Sequence, residues 1–329
     1  MNFQGLGKVE SADWYIDLAF RNATKVGREL KGQLRANPNS IKRVEIAKIA
    51  EIKKVLHRHI GLILLAFPSI DSLPEFYQEL VRLTLDYAEL KKCLGAMNWV
   101  QGKIDYFSDT YSNKIKRCHE FRKMISYSKE YYGRIASVLK QAKKQFAYLE
   151  HARRVMKEYP VVKTKIFTVA IAGFPNVGKT TLLSRVTGST PEIANYAFTT
   201  TSLNVGYATI ENIKVQFIDT PGALNRFEKM NYIEQQAYLA MKYCADLIVF
   251  VFDFSDESYD LDSQLKLFKE IHKVGKDMIV YASKADILDE ATMKDGISKV
   301  KKQAKVKIVY TDAELIQKGI QKLIKSENS

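Results

Sequence analysis

Cysteine, proline and tryptophan are scarce in this 329-residue chain, at three, seven and two residues. Cys93, Cys118 and Cys244 are odd in number and widely spaced, which excludes a disulfide framework and a zinc site and points to a reducing compartment. Long hydrophobic runs are missing too. The longest nearly unbroken one, Ile60 to Phe67, is far too short to cross a bilayer. The N-terminus carries Glu10, Asp13 and Asp17 instead of an apolar export segment, so a cytoplasmic protein is expected. The five histidines (His57, His59, His119, His151, His272) fall at no metal or catalytic spacing. No internal repeat or low-complexity tract stands out.

What is present is positive charge. Lys and Arg number 51 against 37 Asp and Glu, a net of +14, so a polyanion is the first partner to expect, nucleic acid or an anionic membrane surface. Residues 1–160 hold 29 basic and 17 acidic side chains, a net of +12; the remaining 169 residues hold 22 and 20, a net of +2. The excess belongs to the first half. Nothing in the pattern points to DNA specificity.

That first half reads as helix. From Ile41 to Leu65 apolar residues recur at three- and four-residue steps (Ile41, Val44, Ile49, Ile52, Val55, Leu56, Ile60, Leu64), giving one apolar stripe with Lys and Arg on the other faces. Asn37-Pro38-Asn39-Ser40 before it reads as a loop and N-cap. A shorter helix is expected from Ser11 to Leu34, and helical patterning resumes from Glu75 to Met97 after Pro68 and Pro74. Tyr111 to Met156 holds no proline and predicts one helix of up to ~45 residues, ~65 Å long, loosened locally at Gly133. Such helices bury their stripes against each other as a bundle. Trp14 and Trp99 are read as helix-packing residues ahead of base-stacking ones, and Lys299–Lys307 as a solvated helix end.

After Pro160 the period changes. Short β-branched runs (Phe167–Ala172, Val215–Ile218, Leu247–Phe252, Met278–Ala282, Val306–Tyr310) alternate with helical ones, the pattern of a mostly parallel sheet flanked by helices. Glu158–Lys165 reads as the linker. The expected architecture is therefore a basic all-α bundle over residues 1–160 and an α/β domain over 161–329.

At the end of the first of these strands stands Gly173-Phe174-Pro175-Asn176-Val177-Gly178-Lys179-Thr180, an instance of G-x-x-x-x-G-K-[ST]. The two glycines let backbone N–H groups curl around phosphates, Lys179 reaches the outer ones, Thr180 holds Mg²⁺, and a helix follows from Thr181 with its positive N-terminus toward the anion. Asp219-Thr220-Pro221-Gly222 comes after the next strand: Asp219 can hold Mg²⁺ through water, and the Gly222 N–H can contact the γ-phosphate. Between them lies a Thr-rich loop with Phe198, Thr199 and Thr200, where a hydroxyl can complete the Mg²⁺ shell. Ser283-Lys284-Ala285-Asp286, after another strand, resembles the Asn-Lys-x-Asp motif of Ras-like GTPases. There the Asp286 carboxylate would accept from guanine N1–H and N2–H₂, and the Lys284 stem would cover the base. Thr311 and Asp312 fall where a last base-contacting loop is expected. The set, in order and each after a strand, predicts a P-loop GTPase domain binding GTP or GDP with Mg²⁺ at Thr180, Thr200 and Asp219.

For hydrolysis the expected participants are Lys179, Thr200, Gly222 and Asn176. Ala223 and Leu224 stand where Ras-like enzymes place the Gln that orients water, so unaided turnover should be slow. Asn176 has two readings: a ligand to a K⁺ ion that compensates charge on the β–γ bridge, or a residue that merely stabilises the turn.

With these residues in hand, the chain resembles the Obg-like branch of translation-factor-type GTPases, in which the second Thr of Phe-Thr-Thr is the Mg²⁺ ligand; that role carries over to Thr200. The similarity is closer still to the nucleolar GTP-binding protein family. Phe67-Pro68-Ser69-Ile70-Asp71, Phe76-Tyr77, Gly133–Ser137, Leu149-Glu150, Gly173–Lys179 and Tyr196–Thr200 carry it along almost the whole chain. Eukaryotic members have a long C-terminal extension, so a chain ending at Ser329 resembles the short archaeal form; Ser283 in place of Asn is the other departure. The resemblance implies a helical bundle docked on rRNA of a large-subunit precursor and a GTPase domain acting as a switch. Two other readings stay open: a nucleotide-sensing RNA-binding scaffold with negligible turnover, and a membrane-surface GTPase whose basic helices bind anionic lipid. A monomer is expected.

Overall fold

The computed structural model describes residues 3–33, 38–188, 192–195, 202–220 and 232–327. They divide into two compact units: Phe3–Leu73 with Val81–Lys157, and Pro74–Leu80 with the residues from Glu158 onward.

The first unit is helical. Its helices are α1 (Ala12–Gln33), α2 (Pro38–Ala66), the end of α3 (Glu75–Thr84), α4 (Tyr87–Arg117), α5 (Phe121–Gln141) and α6 (Lys143–Lys157). α1 packs on α2, α2 on α4, and α4 on both α5 and α6. Val44, Ile49, Ile52, Val55, Leu56 and Ile60 of the α2 stripe are buried as the spacing requires. Pro38 belongs to α2 and not to a loop before it; its missing N–H and fixed φ suit the first helical position.

Two helical expectations need correction. The stretch from Glu75 to Met97 is interrupted after Thr84, where the Asp86 side chain accepts from Glu89 N–H at 2.9 Å and caps α4. The single helix expected across Tyr111–Met156 is broken twice. Cys118 and Glu120 are extended (φ/ψ −82°/140° and −88°/119°), and Ala142 departs from helical geometry with its N–H on the Leu139 and Lys140 carbonyls. Neither break contains glycine or proline, and Gly133 lies inside α5. Both α5 and α6 pack on α4, and Ile115, Met124, Leu139 and Phe146 are buried. Both tryptophans are exposed: Trp14, edge-on against Tyr15 and His59, at 37%, and Trp99, with the Lys103 ammonium 6.0 Å from its ring, at 43%.

Glu150 fastens the N-terminal segment to α6. Its carboxylate accepts from Val9 N–H at 3.0 Å, from Arg153 Nε and Nη2 at 2.7 and 2.8 Å, and from Arg154 Nε at 2.9 Å. The Arg153 guanidinium, helped by the other donors, holds this carboxyl down at about 2.

The second unit carries β1 (Thr168–Ala172), α7 (Lys179–Thr187), β2 (Glu192–Asn195), β3 (Ser202–Ile210), β4 (Ile213–Asp219), α8 (Tyr232–Cys244), β5 (Leu247–Phe252), α9 (Leu261–His272), β6 (Asp277–Ala282), α10 (Glu290–Ala304), β7 (Val309–Tyr310) and α11 (Ala313–Glu327). The strands form one sheet in the order β2-β3-β4-β1-β5-β6-β7. β4, β1, β5, β6 and β7 run parallel, and β2–β3 and β3–β4 are antiparallel. β1 and β5 are buried along their whole length, as expected for parallel strands covered on both faces. The sequence reading missed β2 and β3. β3 carries Asn204 and Gly206, a weak strand pattern; Gly206 is needed because a Cβ there would meet Thr187 Cγ2 at 2.6 Å.

The 158–165 segment is more than a tether. Val162 is fully buried and donates its N–H to the Tyr77 hydroxyl at 3.0 Å, while that hydroxyl faces the Pro160 and Val162 carbonyls at 3.0 and 3.2 Å. Burial pushes the Tyr77 phenol up to about 12. Lys163 N–H then reaches Gln216 Oε1 on β4 at 3.0 Å. No single helix among the described residues is long and apolar enough to cross a membrane.

Candidate functional site

β1 lies in the middle of the sheet, and from its C-terminal end the chain turns through Gly173–Gly178 into α7. Gly173 has φ +150°, and a Cβ on it would sit 2.7 Å from the Val251 carbonyl oxygen, so a side chain is excluded. Gly178 (φ +90°) and Asn176 (φ +62°) supply the other left-handed turns. Phe174 and Val177 are buried, Phe174 stacked on Tyr259 with ring centroids 4.1 Å apart. Their side chains anchor the loop, so what these two positions offer a phosphate is backbone. Asn176 and Thr181 are exposed and Pro175 is half-buried.

Lys179 is the first residue of α7 and is buried. Its Nζ donates to the Phe174 carbonyl at 2.6 Å, and burial pushes its ammonium down to about 8 against the pull of Asp219. A cation held in this way gains from an incoming anion. Thr180 Oγ1 donates to Asp219 Oδ2 at 2.5 Å, and Asn204, opposite Asp219 in the β3–β4 ladder, adds Nδ2 at 3.1 Å. Asp219 Oδ1 is buried and has no hydrogen-bond partner among the described residues. A buried carboxylate oxygen left unmatched is costly unless a ligand meets it. A hydroxyl and a carboxylate are hard oxygen donors, and they fit Mg²⁺, which completes its shell with water and phosphate oxygens.

The Ser283-Lys284-Ala285-Asp286 loop follows β6. Ser283 is buried, its N–H and Oγ both donating to the Phe252 carbonyl at 2.9 and 3.1 Å. Its Cβ lies 3.6 Å from where a Cβ on Gly178 would be, so this loop abuts the phosphate loop. Lys284 takes φ +58° and places Nζ 2.6 Å from buried Asp253 Oδ2 and 3.0 Å from Ser255 Oγ. Asp286 Oδ2 accepts from Arg185 Nη2 at 3.0 Å, and that guanidinium holds the carboxyl below the usual range. Asp312 Oδ1 accepts from Glu314 N–H at 2.9 Å and starts α11, with Thr311 just before it.

The structure therefore brings Lys179, Thr180 and Asp219 together and sets Ser283 beside Gly178. Phe198, Thr199, Thr200, Gly222 and Ala223 lie outside the described residues. Sequence reasoning passed over Arg185, Asn204 and Asp253. Only Asn204 left a usable signal: a hairpin at Glu211-Asn212, both at positive φ, would have placed it opposite Asp219.

A family model described as the NOG1 N-terminal helical domain matches residues 3–163, and one described as a 50S ribosome-binding GTPase matches residues 168–284. The uncharacterized protein MJ1408 of Methanocaldococcus jannaschii is 35% identical over 295 residues, covering 89% of this chain and 83% of that protein. Nucleolar GTP-binding protein 1 of Drosophila melanogaster is 31% identical over 73% of this chain and 38% of its own length. The protein of the same name from Caenorhabditis elegans is 31% identical over 73% of this chain and 36% of its own. The chain thus spans most of the archaeal relative and less than half of these two eukaryotic ones.

Proposed function

The chain belongs to the NOG1 family, and on that premise we propose that it binds GTP, hydrolyses it to GDP and acts as a switch in assembly of the large ribosomal subunit. The observation that carries the reading is the Thr180–Asp219 pair beneath the phosphate loop, with one Asp219 oxygen buried and unmatched among the described residues. In this reading the Gly173–Gly178 backbone and Lys179 take the phosphates, and Asp286 reads guanine. Thr180, Asp219 and Thr200 would hold Mg²⁺, which when bound would neutralise charge on the phosphates. The Gly222 N–H meets the γ-phosphate, so the loops carrying Thr200 and Gly222 follow nucleotide state. Ala223 cannot polarise water, and intrinsic turnover is slow; Asn176 recruits K⁺ to stabilise developing charge.

The basic residues of 1–160 place the protein, as a cytoplasmic monomer, on rRNA of the preribosomal particle. Ala223 favours a second reading, a nucleotide-sensing scaffold that scarcely turns over. GTP turnover measured with and without large-subunit particles separates the two: stimulation supports the switch, and a rate indistinguishable from buffer with particles present supports the scaffold. Crosslinking to RNA in cells tests the partner, and reads scattered over all transcripts would sink the assembly role.

A further inference from the structure

We propose that Arg185 is the positioning residue for guanine recognition: from the last turn of α7 it fixes the Asp286 carboxylate, the bracing that Ser283, lacking an amide, does not give. This rests on the nucleotide reading above.

The commitments of the base loop lead to Arg185. Ser283 Oγ is engaged with the Phe252 carbonyl, and Lys284 Nζ with Asp253 and Ser255. Asp286 is 58% exposed at the end of a loop whose turn takes positive φ at Lys284, and the group that meets it is the Arg185 guanidinium, Nη2 to Oδ2 at 3.0 Å.

An ion pair this exposed contributes little to folding stability. Its effect is on where the carboxylate points. An ionised carboxylate has two oxygens and about four acceptor directions. Guanine N1–H and N2–H₂ need one direction on each oxygen, and Arg185 occupies a further one on Oδ2, so base and arginine bind the carboxylate together. The guanidinium is a charge-assisted donor to a carboxylate that is ionised at neutral pH, the state in which it accepts both bonds. Lys179, Thr180 and Arg185 all stand on α7, so one rigid element sets the distance between phosphate and base recognition.

The test displaces a fluorescent GDP analogue from the full chain with GDP, IDP and ADP. IDP lacks the 2-amino group, so the GDP:IDP ratio reports the second Asp286 contact directly. Arg185→Met is expected to weaken GDP and shrink that ratio about fivefold to tenfold. Arg185→Lys, which can restore a single N–H contact, is expected to keep most of it. Arg185→Gln is measured alongside, so that a folding failure of one neutral variant leaves the other to decide. A GDP:IDP ratio equal to wild type in the folded neutral variant overturns the assignment, whether GDP affinity rises, falls or holds. A wild-type chain that prefers GDP to neither IDP nor ADP overturns the guanine reading itself, a failure visible before any variant is made.

Discussion

The Thr180 hydroxyl donates to Asp219 Oδ2 at 2.5 Å, joining the start of α7 to the end of β4 across 39 residues of sequence. In the proposed function this contact has a use: the hydroxyl that would turn to Mg²⁺ is already beside the carboxylate that would hold its water.

If these two oxygens serve Mg²⁺, GTP affinity in the wild type should rise by at least about tenfold when Mg²⁺ is added. Asp219→Asn and Thr180→Ala should each flatten that response while leaving GDP binding without Mg²⁺ near wild type. Titration of a fluorescent nucleotide with and without EDTA reads it. A Mg²⁺ response of full size in both variants would exclude the site.

Lys179 gives a proton signature. Free, its ammonium is held at about 8 by burial, and bound phosphates must raise it. At pH 8 nucleotide binding should therefore take up ~0.5 proton from buffer, falling toward zero near pH 6, where the lysine is already charged. Calorimetry in buffers of different ionisation enthalpy measures the uptake, and Lys179→Met should abolish it together with most of the affinity.

The two readings of Asn176 differ in ion dependence. A K⁺ ligand predicts hydrolysis at least about tenfold faster in K⁺ than in Na⁺, a difference lost in Asn176→Ala. Equal rates in the two salts leave Asn176 as a turn residue with φ +62°.

Glu150 sets an acid limit on the helical unit. Its carboxyl lies at about 2 against an ordinary 4.5, so the stabilisation it provides is complete above pH 4.5 and is lost as pH falls toward 2. The loss should amount to roughly 2–3 kcal/mol. Glu150→Gln should cost about 1–3 kcal/mol at pH 7 and show a shallower acid transition, both read from urea melts.

RNA binding is expected to follow charge. Arg21, Lys25 and Arg28 line one groove on α1. Changing all three to Glu should weaken RNA binding and make the slope of log K against log salt shallower by about 2. Nucleotide affinity should not move. An unchanged salt slope would place the RNA surface elsewhere.

Much of this site was legible because its chemistry is local. Gly173 to Thr180 needs a strand before it, a helix after it and glycines between, all within a dozen residues. Asp219 could be read because it opens its own short motif, Asp219-Thr220-Pro221-Gly222, at the end of an apolar strand. What escaped was set by register and packing. Arg185 meets Asp286 across 101 residues, and Asn204 meets Asp219 only because β3 pairs antiparallel with β4. The breaks at Cys118–Glu120 and Ala142 carry no glycine or proline to mark them, and α5 and α6 both pack on α4.

Tyr77 has a consequence for how the protein is made. Its hydroxyl is matched by Val162, which leaves the ribosome 85 residues later. At about 5–20 residues per second that interval is roughly 4–17 s, during which an apolar ring destined for full burial has no native cover from the later segment. The nucleotide-binding unit is synthesised in two instalments, and its first must stay out of trouble until the second arrives.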